Sequence, residues 1–515
     1  MFRLSQEELD VAKQAIEFHG IDSFYPRQPE IDDALAAWTE VSEHIRKIDL
    51  DTYKPYPQMT TYVLKDDKLV RPIDHLHVQD LLIYTALVII LRDTVEKSRL
   101  PKSMKKSFSY RAPGTRGVLY DTGDSFLKYR NATESRLTLK KTKFVTTIDL
   151  TDFFPRIYQH RLENALNSFA ETQRQTDANR VLCKKLLPVF SGKTSYGIPT
   201  GPFASRVLAE AVLVDVDAML ADASIDFVRW MDDFTVFTRT REEGVQTIQL
   251  LTEWLHTHHG LSLNRAKTTI YETAAFRRDV WKTYDDEHEK FRELTGKLKS
   301  DDPYSDPTED IGEDEVSSED LIEVFNLALD LEDLPKYGFI RHLLERVIFR
   351  DDVLLETRVG IIKKAMERID DLEPIIDSLA KAISREIGIT DAATRKFCKE
   401  RLRVFSSRKI FCPGHNLVWI CWLVGQRKVL QLRPQVKQIA DDTSDPAVKK
   451  QSLLCLKELG TRSDALHFKN NFLNYGPQCR LALIYLSGLL GKDERNFWKV
   501  SLTLNDFYEK LAFKS

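Results

Sequence analysis

The chain has 515 residues, 42% hydrophobic and 30% charged, with a formal net charge of −3. This is ordinary globular composition, long enough for two or three domains. No run of about 18 apolar residues occurs, so no membrane span is expected.

The start, Met1-Phe-Arg-Leu-Ser-Gln-Glu-Glu, lacks the apolar core of a signal peptide. Cys183, Cys398, Cys412, Cys421, Cys455 and Cys479 contain no Cys-x-x-Cys pair. They fit buried thiols in a reducing cytoplasm better than disulfides or zinc, and a cytoplasmic location is expected. The near-neutral total hides a strong asymmetry. Residues 101–200 hold 18 Lys+Arg against 8 Asp+Glu, residues 301–320 hold ten acids and no base, and residues 321–515 hold 32 Lys+Arg against 25 Asp+Glu. A local basic excess is the footprint of polyanion binding, although solvated helix faces also account for the C-terminal excess.

In chain order, residues 1–50 read as helices with an acidic bias. Residues 57–75 read as a strand pair, Met59-Thr-Thr-Tyr-Val-Leu64 and Leu69-Val-Arg71-Pro-Ile73, around a polar turn. A long apolar helix is expected over about 78–91, then a basic, turn-rich stretch over 101–143. Strand, helix, helix and hairpin alternate to about residue 271, as in a sheet with helices packed on it. Residues 301–320, acidic with two prolines, read as a linker or mobile loop. From residue 321 the period is helical. Two stretches, 445–460 and 476–491, each open on a Pro at a helix start and close on a Gly read as a C-cap. Their spacing resembles degenerate helical repeats of the HEAT kind; an irregular helical domain fits nearly as well.

The chemistry lies between these regions. Phe144-Val-Thr-Thr-Ile-Asp149 is an apolar strand ending in a lone acid, and Phe227-Val-Arg-Trp-Met-Asp232-Asp233-Phe-Thr-Val-Phe-Thr238 is a hairpin with two acids at its turn. Three carboxylates on neighbouring strand ends can hold two Mg²⁺ ions, hard cations that take carboxylate and phosphate oxygen, with Mn²⁺ as substitute. Two such ions clamp the attacking and leaving oxygens of a phosphoryl transfer. Asp149 and Asp232 are expected as ligands of both metals, Asp233 as a weaker one, and the Leu150 carbonyl is within reach of the same ions. Polar neighbours at Thr147 and Thr151 leave Asp149 room to be unburied. Gly197-Ile-Pro-Thr200-Gly201-Pro-Phe-Ala-Ser205 precedes an amphipathic run over 206–220; its glycines let backbone approach a templating base or incoming nucleotide.

The order Asp149…Phe153-Phe154, Gly197–Ser205, Trp230–Asp233, then Gly260-Leu-Ser-Leu-Asn264-Arg-Ala-Lys267-Thr resembles motifs A to D of reverse transcriptases, over roughly residues 57–275. The resemblance implies an α+β fold: a right-hand fingers–palm core over 57–280, an acidic linker or loop over 281–320, and an all-α, HEAT-like domain over 321–515. Residues 1–56 would form an N-terminal helical segment. It further implies that Lys65 and Arg71 meet the triphosphate and that Phe154 is the steric gate against a ribose 2′-OH, unless it is a core Phe. Thr200 and Gly201 would line the nucleotide. Lys267 would protonate pyrophosphate or be an exposed lysine. Arg111, Ser205 and Trp230 would contact nucleic acid.

Motif C opens on Trp230 where Tyr or Phe is usual, and motif B has Pro-Thr-Gly where retroviral and group II intron enzymes have Pro-Gln-Gly. With no maturase, endonuclease or RNase H pattern following, the chain resembles the bacterial abortive-infection and related defence reverse transcriptases. Some members of that group extend DNA without a template from a protein tyrosine and assemble as oligomers; others use a non-coding RNA. The implied partners are deoxynucleoside triphosphates, a single-stranded DNA product carried on a tyrosine (Tyr25, Tyr53, Tyr56 or Tyr508), a non-coding RNA, and further copies of the chain. Arg395, Lys396, Lys399, Arg401, Arg403, Arg408 and Lys409 lie among aromatics over 397–422. Core packing accounts for most of those rings, but a basic groove with stacking rings also holds single strands. His256, His258 and His259 end a helix before Gly260, where the dipole favours them over a metal role.

Overall fold

The computed structural model describes residues 1–22, 24–65, 69–123, 125–281, 318–330, 337–345, 347–349, 353–407, 414–502 and 504–514. Most of the acidic stretch, the Asp66–Lys68 turn, Arg408, Lys409 and Cys412 lie outside them. The five described cysteines are free and buried. No described helix is long and apolar enough to cross a membrane.

Among the described residues six strands form two sheets. β1 (Met59–Leu64) and β2 (Val70–His75) make an antiparallel hairpin, as the sequence pattern predicts. β3 (Phe144–Asp149), β4 (Phe227–Trp230), β5 (Asp233–Thr238) and β6 (Thr269–Glu272) form an antiparallel sheet in the order β4-β5-β3-β6. Alternation along each strand gives the sheet two unlike faces. Ile148, Phe227, Phe234 and Val236 belong to the main core, whereas Val145, Val228 and Phe237 belong to a separate apolar cluster with Phe108, Leu137 and Phe276. The latter face is also the one on which Asp149 and Asp233 stand, by the same period of two. On the opposite face the helix Arg241–His259 comes close at Gly244, where a Cβ would lie 2.8 Å from Thr146 Oγ1.

Several helices differ from the sequence expectation. The apolar helix runs Val78–Ser98, beyond residue 91; buried Arg92 donates to the Thr115 carbonyl at 3.1 Å, and the C-cap Arg99 bonds the Ser109 and Tyr110 carbonyls and the Glu210 carboxylate. The stretch read as turn-rich contains a helix, Ser125–Leu137. Its composition is polar, but Ala132 and Leu137 pack on the sheet and Arg136 bonds Asp226 at 2.9 Å. Tertiary contact overrides a weak local signal there. The run over 206–220 divides at Leu213 into Ala204–Val212 and Val214–Asp222.

Beyond residue 318 every described element is helical. Asp445 caps Pro446–Leu459 through the Ala447 and Val448 amides. Gly491 is the N-cap of Lys492–Ser501, not the C-cap expected; the preceding helix, Pro477–Leu486, has already ended in a short 3₁₀ turn. This helical region packs on the N-terminal segment and on the β1–β2 hairpin. Lys450 forms a buried ion pair with Glu30, Thr61 donates to Asp445 at 3.1 Å, and Gln478 donates to the His75 carbonyl at 3.1 Å.

The most costly element to bury is Arg229 of β4, which no solvent reaches. Its Nε donates to Asp217 Oδ1 at 2.7 Å and its Nη2 to Glu210 Oε2 at 3.0 Å. Glu210 also pairs with Arg99 at 2.8 Å and accepts from the Ser109 hydroxyl. Burial works to raise the Glu210 carboxyl, but Arg229 and then Arg99 hold it below its ordinary value. Removing one partner of such a network leaves an uncompensated buried charge, at a cost of about 3–5 kcal/mol. Arg229→Ala should lower unfolding stability by about that amount. Chemical denaturation of the variant checks this, and a loss within about 0.5 kcal/mol, as at an ordinary surface site, would contradict it.

Candidate active site

β3 ends at Asp149, whose Cα partner across the ladder is Asp233, the first residue of β5. Met231 and Asp232 form the turn between β4 and β5. Met231 has φ +54°, the left-handed region, which costs a residue with a side chain about 1–2 kcal/mol. The turn is held there from both sides. The Met231 amide donates to Ser109 Oγ at 2.8 Å, and its carbonyl accepts from Arg229 Nη1 at 2.8 Å. The buried network thus fixes the backbone that carries Asp232 and Asp233.

Asp149 is buried at 7% exposure, which corrects the expectation that its polar neighbours leave it open. The loop after the helix Arg241–His259 covers it. Leu150 bridges Leu263, Thr151 donates to the Ser262 carbonyl at 2.9 Å, and the Asn264 amide donates to the Asp149 carbonyl at 2.7 Å. That loop brings two side chains to the carboxylate: Asn264 Nδ2 donates to Oδ2 at 2.9 Å and Lys267 Nζ to Oδ1 at 3.0 Å. Lys267 is therefore an engaged residue, not a merely exposed one. Leu150 is buried in the turn that follows Asp149.

The charges are not balanced. Burial and then the Asp149 charge raise the Asp232 carboxyl, while Lys267 and Lys65 pull it back. The surrounding protein, then the charges of Asp232 and Asp149, push the Asp233 carboxyl up to about 7 against Lys267, although the residue itself is solvent-exposed. Lys267 is raised by the same three acids, against burial. Among the described residues no three His, Cys, Asp or Glu side chains converge as a ready metal cluster; Asp149 is turned to Lys267 and Asn264 instead. The donor set still fits a divalent cation. It is all oxygen, and its negative charge exceeds what Lys65 and Lys267 neutralise.

The β1–β2 hairpin leans over this turn. Lys65 Nζ lies 3.7 Å from Asp152 Oδ1, three residues beyond Asp149. Phe154 is half-buried, and its carbonyl accepts from the Ile198 amide at 3.1 Å. Gly197 has φ +91°, and a Cβ there would lie 3.3 Å from the Pro155 carbonyl oxygen. The glycine loop is sewn to the hairpin by a reciprocal pair: the Thr200 amide donates to Asp74 Oδ2 at 2.9 Å, and the Asp74 amide donates to the Thr200 carbonyl at 2.7 Å. Gly201, at φ +133°, packs against the Asp74 carbonyl, where a Cβ would lie 3.2 Å away. The Arg71 guanidinium sits 6.0 Å from the Phe24 ring centroid. Trp230 is half-buried beside Phe126, Tyr129 and Tyr110, with ring centroids at 5.1, 5.8 and 6.1 Å.

Two expected nucleic-acid contacts, Arg111 and Ser205, lie in the interior. Arg111 is buried; it donates to the Leu100 carbonyl at 2.7 Å, lies 3.3 Å from Glu96, and is pushed down to about 10 by burial. Ser205 is fully buried, its hydroxyl 2.8 Å from that of Tyr84. Both brace the interior and cannot meet a strand in this conformation. Arg403 is exposed but belongs to the helix Ala392–Ser406, paired with Glu400 at 2.9 Å, and the neighbouring Arg401 is spent on the Met366 and Glu367 carbonyls. His259 is buried 3.1 Å from Asp215, before Gly260 at φ +66°.

None of the four candidate tyrosines is exposed. Tyr25 and Tyr508 are buried, Tyr53 donates to Asp80 at 2.6 Å and Tyr56 to Asp506. Burial, then neighbouring carboxylates, raises all four hydroxyls.

Asn264 and the Ser109–Glu210–Arg229–Asp217 network escape the sequence reading. Asn264 and Arg229 lie inside the quoted motifs, but nothing in spacing distinguishes them from ordinary loop and strand residues.

The raised carboxyls have a consequence for stability. A free carboxyl titrates near pH 4 when unfolded, whereas Asp233 and the buried Asp80 titrate at about 7 in the fold. Between those values the native state holds more protons, so stability falls as pH rises through that window. In chelator, the thermal midpoint should fall from pH 5 to pH 8. Asp233→Asn, or a saturating divalent cation, should remove part of the slope and leave the part due to Asp80. Equal slopes in both proteins would contradict the assignment.

Residues 64–294 match the family model described as reverse transcriptase (RNA-dependent DNA polymerase). No curated protein matches the chain. Among solved structures, the chain is similar to telomerase from Candida albicans in complex with a TWJ fragment of telomeric RNA, at 12% identity, a TM-score of 0.32, and coverage of 92% of this chain and 71% of that one. It is also similar to apo telomerase from Candida tropicalis, at 11% identity, a TM-score of 0.33, and coverage of 81% and 71%. Residues 64–294 are a reverse transcriptase domain, a nucleotidyltransferase of that type, followed by a helical region.

Proposed function

We propose that this protein is a DNA polymerase of the abortive-infection, anti-phage defence kind, which adds deoxynucleotides without a template and starts from a tyrosine of its own. The observation that best supports polymerisation is Asp149 facing Asp233 across the β3–β5 ladder with Asp232 in the adjoining turn. In this reading Asp149, Asp232 and Asp233 hold two Mg²⁺ ions, with Mn²⁺ as substitute, which supply charge stabilisation for an in-line displacement. Lys65 and Arg71 bind the triphosphate, Phe154 excludes a 2′-OH, and Thr200 and Gly201 line the nucleotide. Lys267 donates a proton toward pyrophosphate, Trp230 supports the growing strand, and Leu150 offers its carbonyl. The defence role and assembly as a homo-oligomer rest on the resemblance of motif B and the helical C-terminal region. Exposed tyrosines are better placed to prime than these four, two buried and two half-buried; Tyr62 and Tyr196, at 54% and 47% exposure, are the first to map.

The test uses purified protein with Mg²⁺ and labelled deoxynucleotides, with no template or primer added. Label that migrates with protein, is released by protease and survives RNase pretreatment of the enzyme supports protein-primed, untemplated synthesis. Product that appears only when RNA is restored overturns that reading in favour of an RNA-templated enzyme using a dedicated non-coding RNA. Asp149→Ala and Asp232→Ala should each reduce incorporation below detection with the fold retained. Phe154→Ala should raise ribonucleotide use about 10- to 100-fold; unchanged sugar selection would remove Phe154 from the gate.

A further inference from the structure

The loop over residues 20–26 has no role in the reading above, yet it touches three parts of the molecule at once. Asp22 Oδ1 accepts from the Phe24 and Tyr25 amides at 2.7 Å each, which closes a tight turn. The other oxygen, Oδ2, lies 3.4 Å from His75 Nδ1, and the His75 ring stacks on Tyr25 with centroids 3.6 Å apart. This turn is therefore fixed to the end of β2.

Its second contact is with the helical region. The Phe24 carbonyl accepts from Trp419 Nε1 at 2.8 Å and lies 2.9 Å from His415 Nε2, both on the helix Gly414–Gln426. Trp419 and His415 are buried, so this anchor is not a loose surface contact.

The third contact is with the nucleotide side of the cleft. The Phe203 amide reaches the Ile21 carbonyl at 3.4 Å, and a Cβ on Gly201 would lie 3.7 Å from Asp22 Cβ. The Phe24 ring stands 6.0 Å from the Arg71 guanidinium carbon. The loop thus backs both the glycine loop and the arginine assigned to the triphosphate.

We propose that Phe24 is a positioning residue for the incoming nucleotide. Its ring holds the Arg71 guanidinium in place, and the helical region sets the position of that ring through the Phe24 carbonyl. The helical region is thereby wired to nucleotide affinity. This inference rests on the polymerase reading and on the triphosphate role of Arg71. A face-on cation–π contact is attractive and directional, whereas an aliphatic side chain of similar bulk gives only packing.

The test measures deoxynucleoside triphosphate binding to the full chain by calorimetry in Ca²⁺, which supports binding without turnover, and then KM and kcat in Mg²⁺. Phe24→Leu should weaken binding and raise KM about three- to tenfold, the effect of one cation–π contact, with kcat and the thermal midpoint little changed. Phe24→Trp, which keeps an aromatic face, should restore affinity. Trp419→Phe keeps the ring but removes the Nε1 donor, and should shift KM in the same direction by less. Unchanged affinity and KM in Phe24→Leu, or a loss of stability and kcat with KM unchanged, would overturn the inference. Failure of the unmutated protein to bind any deoxynucleotide would sink the polymerase reading itself, so the two failures are told apart.

Discussion

The buried guanidinium of Arg229 is the constraint on which the site depends. A charge with no solvent contact must be fully paired, and Asp217 and Glu210 do this from the two helices behind the sheet. Pairing also fixes where those helices sit relative to β4. The same guanidinium has one donor left for the Met231 carbonyl. One side chain therefore anchors the helices on one face and the turn that carries Asp232 and Asp233. The left-handed Met231 is tolerable because both of its backbone groups are bound.

The carboxylate strand, the hairpin and the glycine loop were legible in the sequence because each carries a local signature. An apolar strand that ends in an acid, two acids between β-prone runs, and paired glycines are all short-range patterns. The β1–β2 pair and the helical C-terminal region were legible for the same reason. Arg111 and Ser205 were misread because motif position says nothing about burial; each is enclosed by residues distant in sequence, Glu96 and Tyr84. The helix Ser125–Leu137 was missed because its stability comes from contacts with the sheet and with Asp226, not from its own apolar period. Asn264 was quoted and passed over, since an asparagine after a turn is ordinary until a loop places it on a carboxylate.

The hairpin, the glycine loop and the N-terminal loop form one continuous wall. Asp74 and Thr200 exchange backbone and side-chain hydrogen bonds, Asp22 ties to His75, and Phe24 ties to Trp419. Lys65 closes the wall against Asp152. A wall built this way resists the shift of one member alone, because buried groups such as Asp74, His75 and Trp419 would lose their partners if released. The helical region is part of that wall through buried contacts such as Lys450 with Glu30. Its packing belongs to the geometry of the cleft, and the domain is more than an appended module.

The arrangement around Asp149 explains how three acids can be kept close before any ligand arrives. Lys267 and Asn264 take the two oxygens of Asp149, and the Asp233 carboxyl is raised by the surrounding protein and its acidic neighbours. Lys267 is a weak stand-in for a divalent charge, since it brings one positive charge on a long chain. Asp149, Asp232 and Asp233 would hold a divalent cation, which would supply more charge than Lys267 does and relieve the repulsion among the three acids. Lys267, which balances Asp149 in the resting site, is also the residue that the proposed reading assigns to the leaving group.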